Sequence, residues 1–185
     1  MNNVNNSGAA ILRRGAPVGL YQVDKLMSEA RRLAREYRVA MGKPLPGISA
    51  ELAVHDAIRL LDLEAAPAGV GGYDAVGRGN RAGKRIQIKG RTIFDEAKGG
   101  QRVGQLKIEQ DWDSVMLVLM DENYEPVEIY EAEREDVLQA VDKTSSNRSK
   151  RGAVSVARFK IMGRLAWSSE HGAEDNGLWD NQAGR

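Results

Sequence analysis

Gly71 to Arg91 reads GGYDAVGRGNRAGKRIQIKGR, and the fold turns on this stretch. Tyr73 to Gly77 reads as a short strand and Lys84 to Gly90 as its return partner in a β-hairpin. Arg78 to Gly83, rich in Gly and Asn, is the turn between them. With that turn centred between Asn80 and Arg81, Asp74 falls opposite Gln87. Directly opposed residues carry Cβ atoms about 4.5–5.5 Å apart. Strand side chains alternate faces, so Arg85, Gln87 and Lys89 share one face while Ile86 and Ile88 share the other. A carboxylate, an amide oxygen and an ammonium are thus expected on one small patch, a set that suits a divalent metal beside a phosphate.

Outward from the hairpin, helices precede it and strands follow. Residues 1 to 20, rich in Asn, Gly and Ala, read as a loose N-terminal arm. Val23 to Met41 places Val23, Leu26, Met27, Ala30, Leu33, Ala34, Tyr37 and Met41 at helical spacing, with Arg31, Arg35 and Arg38 on its other side. Gly42 to Gly47 breaks that helix. A second helix is expected from Ser49, read as its N-cap, to about Leu63, with Leu52, Ala53, Ala57, Leu60 and Leu61 facing a core. Glu51, His55, Arg59 and Asp62 line another side of it.

After the hairpin, Arg91 to Gln110 reads as a polar, basic connection, of a length that is often functional. Val115 to Met120 reads as a fully buried strand, and DENYEP turns the chain into an edge-like strand, Val127 to Tyr130. Glu133 to Val141 is expected as a short helix burying Val137, Leu138 and Val141. A last helix is expected from Val156 to Trp167, with a polar tail after Ser168. The expected class is α/β (α+β), a central mixed β-sheet flanked by helices. Its parts are an arm with a basic amphipathic helix (1–47), a core domain (48–168) and a polar tail (169–185).

Composition narrows the chemistry. The chain has 185 residues and no Cys, which excludes disulfides, thiolate nucleophiles and Cys-ligated zinc. Its 2 histidines are too few for a His-rich metal centre. The first residues lack an apolar h-region and no run approaches a membrane span, so a soluble, cytoplasmic protein is expected. A net charge of +1 hides an uneven distribution. Basic residues concentrate in Arg31–Arg38, Arg78–Lys107 and Lys143–Arg164, and a locally basic face can bind polyanions at near-zero total charge.

Asp74 followed by Gln87-Ile88-Lys89 resembles the PD-(D/E)XK nuclease motif of restriction endonucleases and related DNA-processing enzymes. The resemblance covers residues 48 to 142. Gln87 stands where an acid is usual, as in some members, and Tyr73 where Pro is frequent. The Glu that often completes the site from the preceding helix is matched by Glu51. The resemblance implies a restriction-endonuclease-like sheet and a Mg²⁺- or Mn²⁺-dependent endonuclease acting on DNA, in restriction or mobile-element defence. It also implies Asp74, Gln87, Lys89 and Glu51 as catalytic residues, with metal held by Asp74, Glu51, Gln87 and the Ile88 carbonyl. Lys89 would orient the attacking water and offset charge building on the phosphate. The family places a helix between its third and fourth core strands, whereas Val115 to Tyr130 reads as a hairpin without one.

Arg91 shares the face of Lys89 by spacing and is a candidate phosphate contact. Arg31, Arg35 and Arg38 on their helix, and Lys150 and Arg151 in a Ser-rich segment, are candidate backbone contacts to nucleic acid. A helix carrying such arginines can instead pair with a second copy, which leaves room for a homodimer. Gln87 feeds an alternative function, a non-catalytic nucleic-acid-binding or regulatory protein, because a missing acid weakens metal affinity. Two decoys fail on context. Gly77, Gly79 and Ala82 match GxGxxA but precede a strand, and Gly83-Lys84 is followed by Arg85 where a phosphate loop needs Ser or Thr.

Overall fold

The computed structural model describes residues 19–95, 97, 100–142 and 154–174. Lys150 and Arg151 lie outside them. α1 spans Leu20–Met41 and α2 spans Ile48–Leu60. Gly42 ends α1 in the left-handed region at φ 65°, donating its N–H to Arg38 O, which is a conformation that favours glycine. Ser49 is not the N-cap expected of it. Gly47 precedes α2, and Ser49 Oγ lies in the first turn, 2.8 Å from Thr92 Oγ1.

Seven strands follow in sheet order β1-β2-β3-β4-β5-β6-β7. They are β1 Glu64–Ala65, β2 Ala75–Val76, β3 Arg85–Thr92, β4 Ser114–Met120, β5 Pro126–Glu133, β6 Arg164–Ser168 and β7 Gly172–Ala173. β3 and β4 are parallel, paired from Ile86↔Ser114 to Thr92↔Met120, and the other neighbours are antiparallel. α3 (Arg134–Asp142) and α4 (Val156–Met162) are the other helices of four or more residues among the described residues. The class is mixed α+β, as expected.

Period-two alternation divides the apolar residues between two cores. Ile86, Ile88, Met116, Val118 and Met120 meet Leu52, Ala53 and Ala57 of α2 and Ala34 of α1. On the opposite face, Val115, Leu117 and Leu119 meet Val137 and Val141 of α3 and Phe159 of α4. β4 feeds both cores, so every residue of it is buried. On α1 the spread of apolar residues exceeds what the sheet can cover. Leu26, Leu33 and Met41 stay more than half exposed.

Three further expectations need correction. β5 is no edge strand, because β4 and β6 pair with it on either side. The last helix stops at Met162, and the remainder of its expected span is β6. Gly163 makes the switch in extended backbone, where a Cβ would sit 3.0 Å from both Glu131 O and Phe159 O. The connection from β3 to β4, expected only as polar and basic, also carries core residues. Val103, Leu106 and Trp112 are buried in the second core, and residues 101–103 exchange Val103 N–H to Val154 O and Val156 N–H to Gln101 O.

Glu131 shows how charge is tolerated inside. It is buried, and its carboxylate accepts hydrogen bonds from Arg81 Nε at 2.9 Å and Ser114 Oγ at 3.0 Å and pairs with Arg164. Burial pushes its pKa up, but the Arg81 hydrogen bond and the charges of Arg81, Arg164 and Lys84 outweigh that and hold it below the ordinary 4.5. A depressed carboxylate contributes stability that is present above its unfolded value and lost as pH falls through the folded one. Stability measured by urea unfolding should therefore drop on acidification below about pH 4.5, and Glu131→Gln should flatten that limb.

Candidate active site

The hairpin register is the expected one. Ala75 pairs with Ile86 and Val76 with Arg85, and the next position of that register sets Asp74 against Gln87. β2 is short because Asp74 leaves the ladder to bind side-on. Its N–H donates to Ile86 O at 2.9 Å, while its Oδ2 accepts the Ile88 N–H at 2.7 Å. The carboxylate thus sits where β2 and β3 part. The N–H and C=O of one strand residue leave by the same edge, so the Ile88 carbonyl also faces Asp74's side of β3.

Gln87, Lys89 and Arg91 occupy the other alternation of β3, toward the second core. Arg85 is diverted from this row, since its Nε and Nη2 grip Asp113 at 3.0 and 2.9 Å. Gln87 is fully buried, and its Oε1 accepts the Lys107 N–H at 3.2 Å. That bond fixes the amide's orientation, and Nε2 is left buried without a partner. The sequence reading gave Gln87 the role of oxygen ligand. The group it leaves free is a donor, because its oxygen already holds the loop.

Burial lowers the Lys89 pKa, with Asp74 opposing that shift and Lys107 adding to it. The ammonium therefore lies within electrostatic reach of both. Lys107 is itself pinned from two sides, since Trp112 Nε1 donates to its carbonyl at 2.8 Å. Arg134 stacks 4.4 Å over the Trp112 ring and donates to Ile108 O, Gln110 O and Trp112 O. The segment that covers β3 is thereby rigid in its supports. Lys107 and Arg102 are the residues that motif reading overlooked. The only signal for them was the basic character of the β3–β4 connection.

Glu51 stands on α2, which packs through a glycine on the face of β3 that carries Ile86 and Ile88, opposite that of Gln87 and Lys89. A Cβ on Gly90 would meet Ser49 O at 2.1 Å and the Ala53 Cβ at 2.7 Å, so α2's first turn lies directly on β3. Glu51 is exposed within that turn. Gly90→Ala should cost about 1–3 kcal/mol, the usual penalty of overpacking, read from the urea midpoint. Ala53→Gly added to it should recover only part, because the closer clash is with backbone. His55, one turn on, pairs with Asp24 at 3.1 Å and ties α2 to α1.

Arg31, Arg35 and Arg38 of α1 do not form a free cationic stripe. Arg31 is buried, pairs with Asp56 and donates to Tyr124 O at 3.0 Å. Arg35 and Arg38 donate to Asn123 O and Glu122 O at 3.2 and 3.1 Å, and Arg38 stacks 4.4 Å from the Phe94 ring centre. They clamp α1 onto the β4–β5 turn, whose carbonyls need donors.

Among the described residues, no three His, Cys, Asp or Glu side chains gather to hold a metal. Asp74 and Glu51 are only two acids, and a carbonyl and an amide would have to make up the rest. Neither a protein-family model nor a curated protein matches the chain. No helix among the described residues is long and apolar enough to cross a membrane.

Proposed function

We propose that the chain is a metal-dependent DNA endonuclease with a restriction-endonuclease-like core, and that it hydrolyses phosphodiester bonds at the parting of β2 and β3. One observation carries the reading: the Asp74 carboxylate is fixed by the Ile88 N–H beside a Lys89 whose charge is partly stripped of water. Counted with β1, the connection between third and fourth strands runs from β3 to β4, and no helix stands among its described residues where the nuclease pattern has one.

Magnesium prefers oxygen donors, and Asp74, the Ile88 carbonyl and Glu51 are of that kind. They would hold the ion, which when bound lowers the pKa of an attacking water and polarises the phosphate. Lys89 holds its proton against the phosphate and offsets the charge that develops there. Gln87 Nε2 offers a hydrogen bond to a phosphate oxygen instead of a lone pair to the metal, and Gln87 Oε1 keeps Lys107 in place.

The reading predicts cleavage of mixed-sequence DNA with Mg²⁺ or Mn²⁺ and none in a chelator. The free Gln87 donor favours a second reading, a nucleic-acid-binding or regulatory protein without catalysis. Binding without cleavage under every divalent metal condition would select it.

A further inference from the structure

We propose that the outer face of α1 is a docking surface for a second copy of this chain, whose own α1 lies antiparallel along it.

α1 carries two seams, and the fold uses one of them. Met27, Arg31, Ala34 and Arg38 turn inward. Met27 and Ala34 pack on the first core, Arg31 pairs with Asp56, and Arg38 stacks on Phe94. Leu26, Ala30, Leu33, Tyr37 and Ala40 follow one another at alternating steps of four and three residues, the spacing of a helix-pairing seam. Leu26 and Leu33 are 54% and 56% exposed, and Met41 extends the stripe at 55%. A surface leucine standing alone is ordinary, but a row of apolar residues along one helix marks a contact surface.

Charge selects the occupant. Next to the stripe, Lys25, Glu29, Arg32 and Glu36 form an exposed row of alternating sign, and Arg32 and Glu36 hold each other at 3.0 Å. Read backwards, such a row is its own complement. Let a second α1 run antiparallel and overlap the first end to end, residue 20 opposite residue 41. Lys25 then lies opposite the second copy's Glu36, and Glu29 opposite its Arg32. The same alignment brings Leu26 within two residues of the second copy's Tyr37, and Ala30 within two of its Leu33. A two-fold axis crossing antiparallel helices sets charged flank on charged flank and apolar stripe on apolar stripe. Parallel helices would set each charged flank against the other's apolar stripe, which charge burial disfavours. A contact one helix wide along the 22 residues of α1, about 33 Å, is at the small end of specific interfaces, so the dimer should dissociate on dilution.

The test is sedimentation of the full chain from about 1 to 100 μM, without DNA or divalent ions, so that the outcome is independent of the nuclease reading. The parent should pass from monomer to dimer across that range. Leu26→Lys and Leu33→Glu should each weaken association by about tenfold or more, since either places a charge inside the apolar stripe. Both side chains are more than half exposed, so the urea midpoint of each variant should match the parent. Glu29→Lys should weaken association about fivefold by facing Arg32 of the other copy, and adding Arg32→Glu should restore it. The chain has no Cys, so a nitroxide on Tyr21→Cys labels one site per copy. Antiparallel pairing sets the two labels about 30 Å apart, and parallel pairing about 10 Å. Monomers at every concentration, a dimer indifferent to both leucine variants, or a short label distance would each overturn the proposal.

Discussion

Asp74→Asn and Lys89→Met should each lower magnesium-dependent DNA cleavage by at least about a hundredfold, within the range that a single acid–base or electrostatic group contributes. Both changes spare the fold. Asn keeps an oxygen to accept the Ile88 N–H, and Met keeps the apolar stem of Lys89. Loss of activity can then be assigned to the charge removed. Circular dichroism and the urea midpoint should match the parent. Cleavage at the parental rate in both variants, still blocked by chelator, would place the site elsewhere on the chain.

Gln87→Glu extends the same prediction to the metal. A Glu can keep one oxygen on the Lys107 N–H and present the second where Nε2 now stands. That exchanges an unpaired donor for a charged oxygen ligand, and magnesium affinity by calorimetry should rise. The new carboxylate is fully buried, so the variant should be less stable than the parent in chelator and should regain stability with magnesium. A folded variant whose melting temperature ignores magnesium would exclude Gln87 from the metal's surroundings.

What was readable before the structure follows from the range of the forces involved. The hairpin register was readable because Gly79, Asn80 and Gly83 specify a turn locally, and a one-residue slip would turn Ile86 and Ile88 out of the core. β4 was readable because a strand between two cores is apolar throughout. β6 was not, since Val156, Phe159, Met162 and Ala166 keep helical spacing across Gly163, and the pairing that makes Arg164–Ser168 a strand is with β5, far back along the chain. The cover over β3 was missed for a related reason. Val103, Leu106 and Ile108 follow neither period, and their burial comes from partners such as Val154 that lie far along the chain. The same limit applies to the α1 arginines, because their acceptors in the Asp121–Glu125 turn are invisible to any local window.

One of those arginines carries a large expected stability effect. Arg31→Met should cost about 3–5 kcal/mol, the usual loss when one member of a buried ion pair is removed. Asp56 is fully buried, and without Arg31 its nearest cation is Arg59 at 3.8 Å from Oδ1, an oxygen that already lacks a hydrogen bond. The Tyr124 carbonyl would lose its donor as well. Arg35→Met and Arg38→Met should each cost no more than about 1 kcal/mol, because both side chains reach solvent. Adding Asp56→Leu to Arg31→Met should recover much of the loss, since it removes the stranded charge. Urea unfolding of the four variants decides the matter. An unchanged midpoint for Arg31→Met, together with a slope of log affinity against log salt flattened by about 0.9 on duplex DNA, would return α1 to the role of a nucleic-acid face.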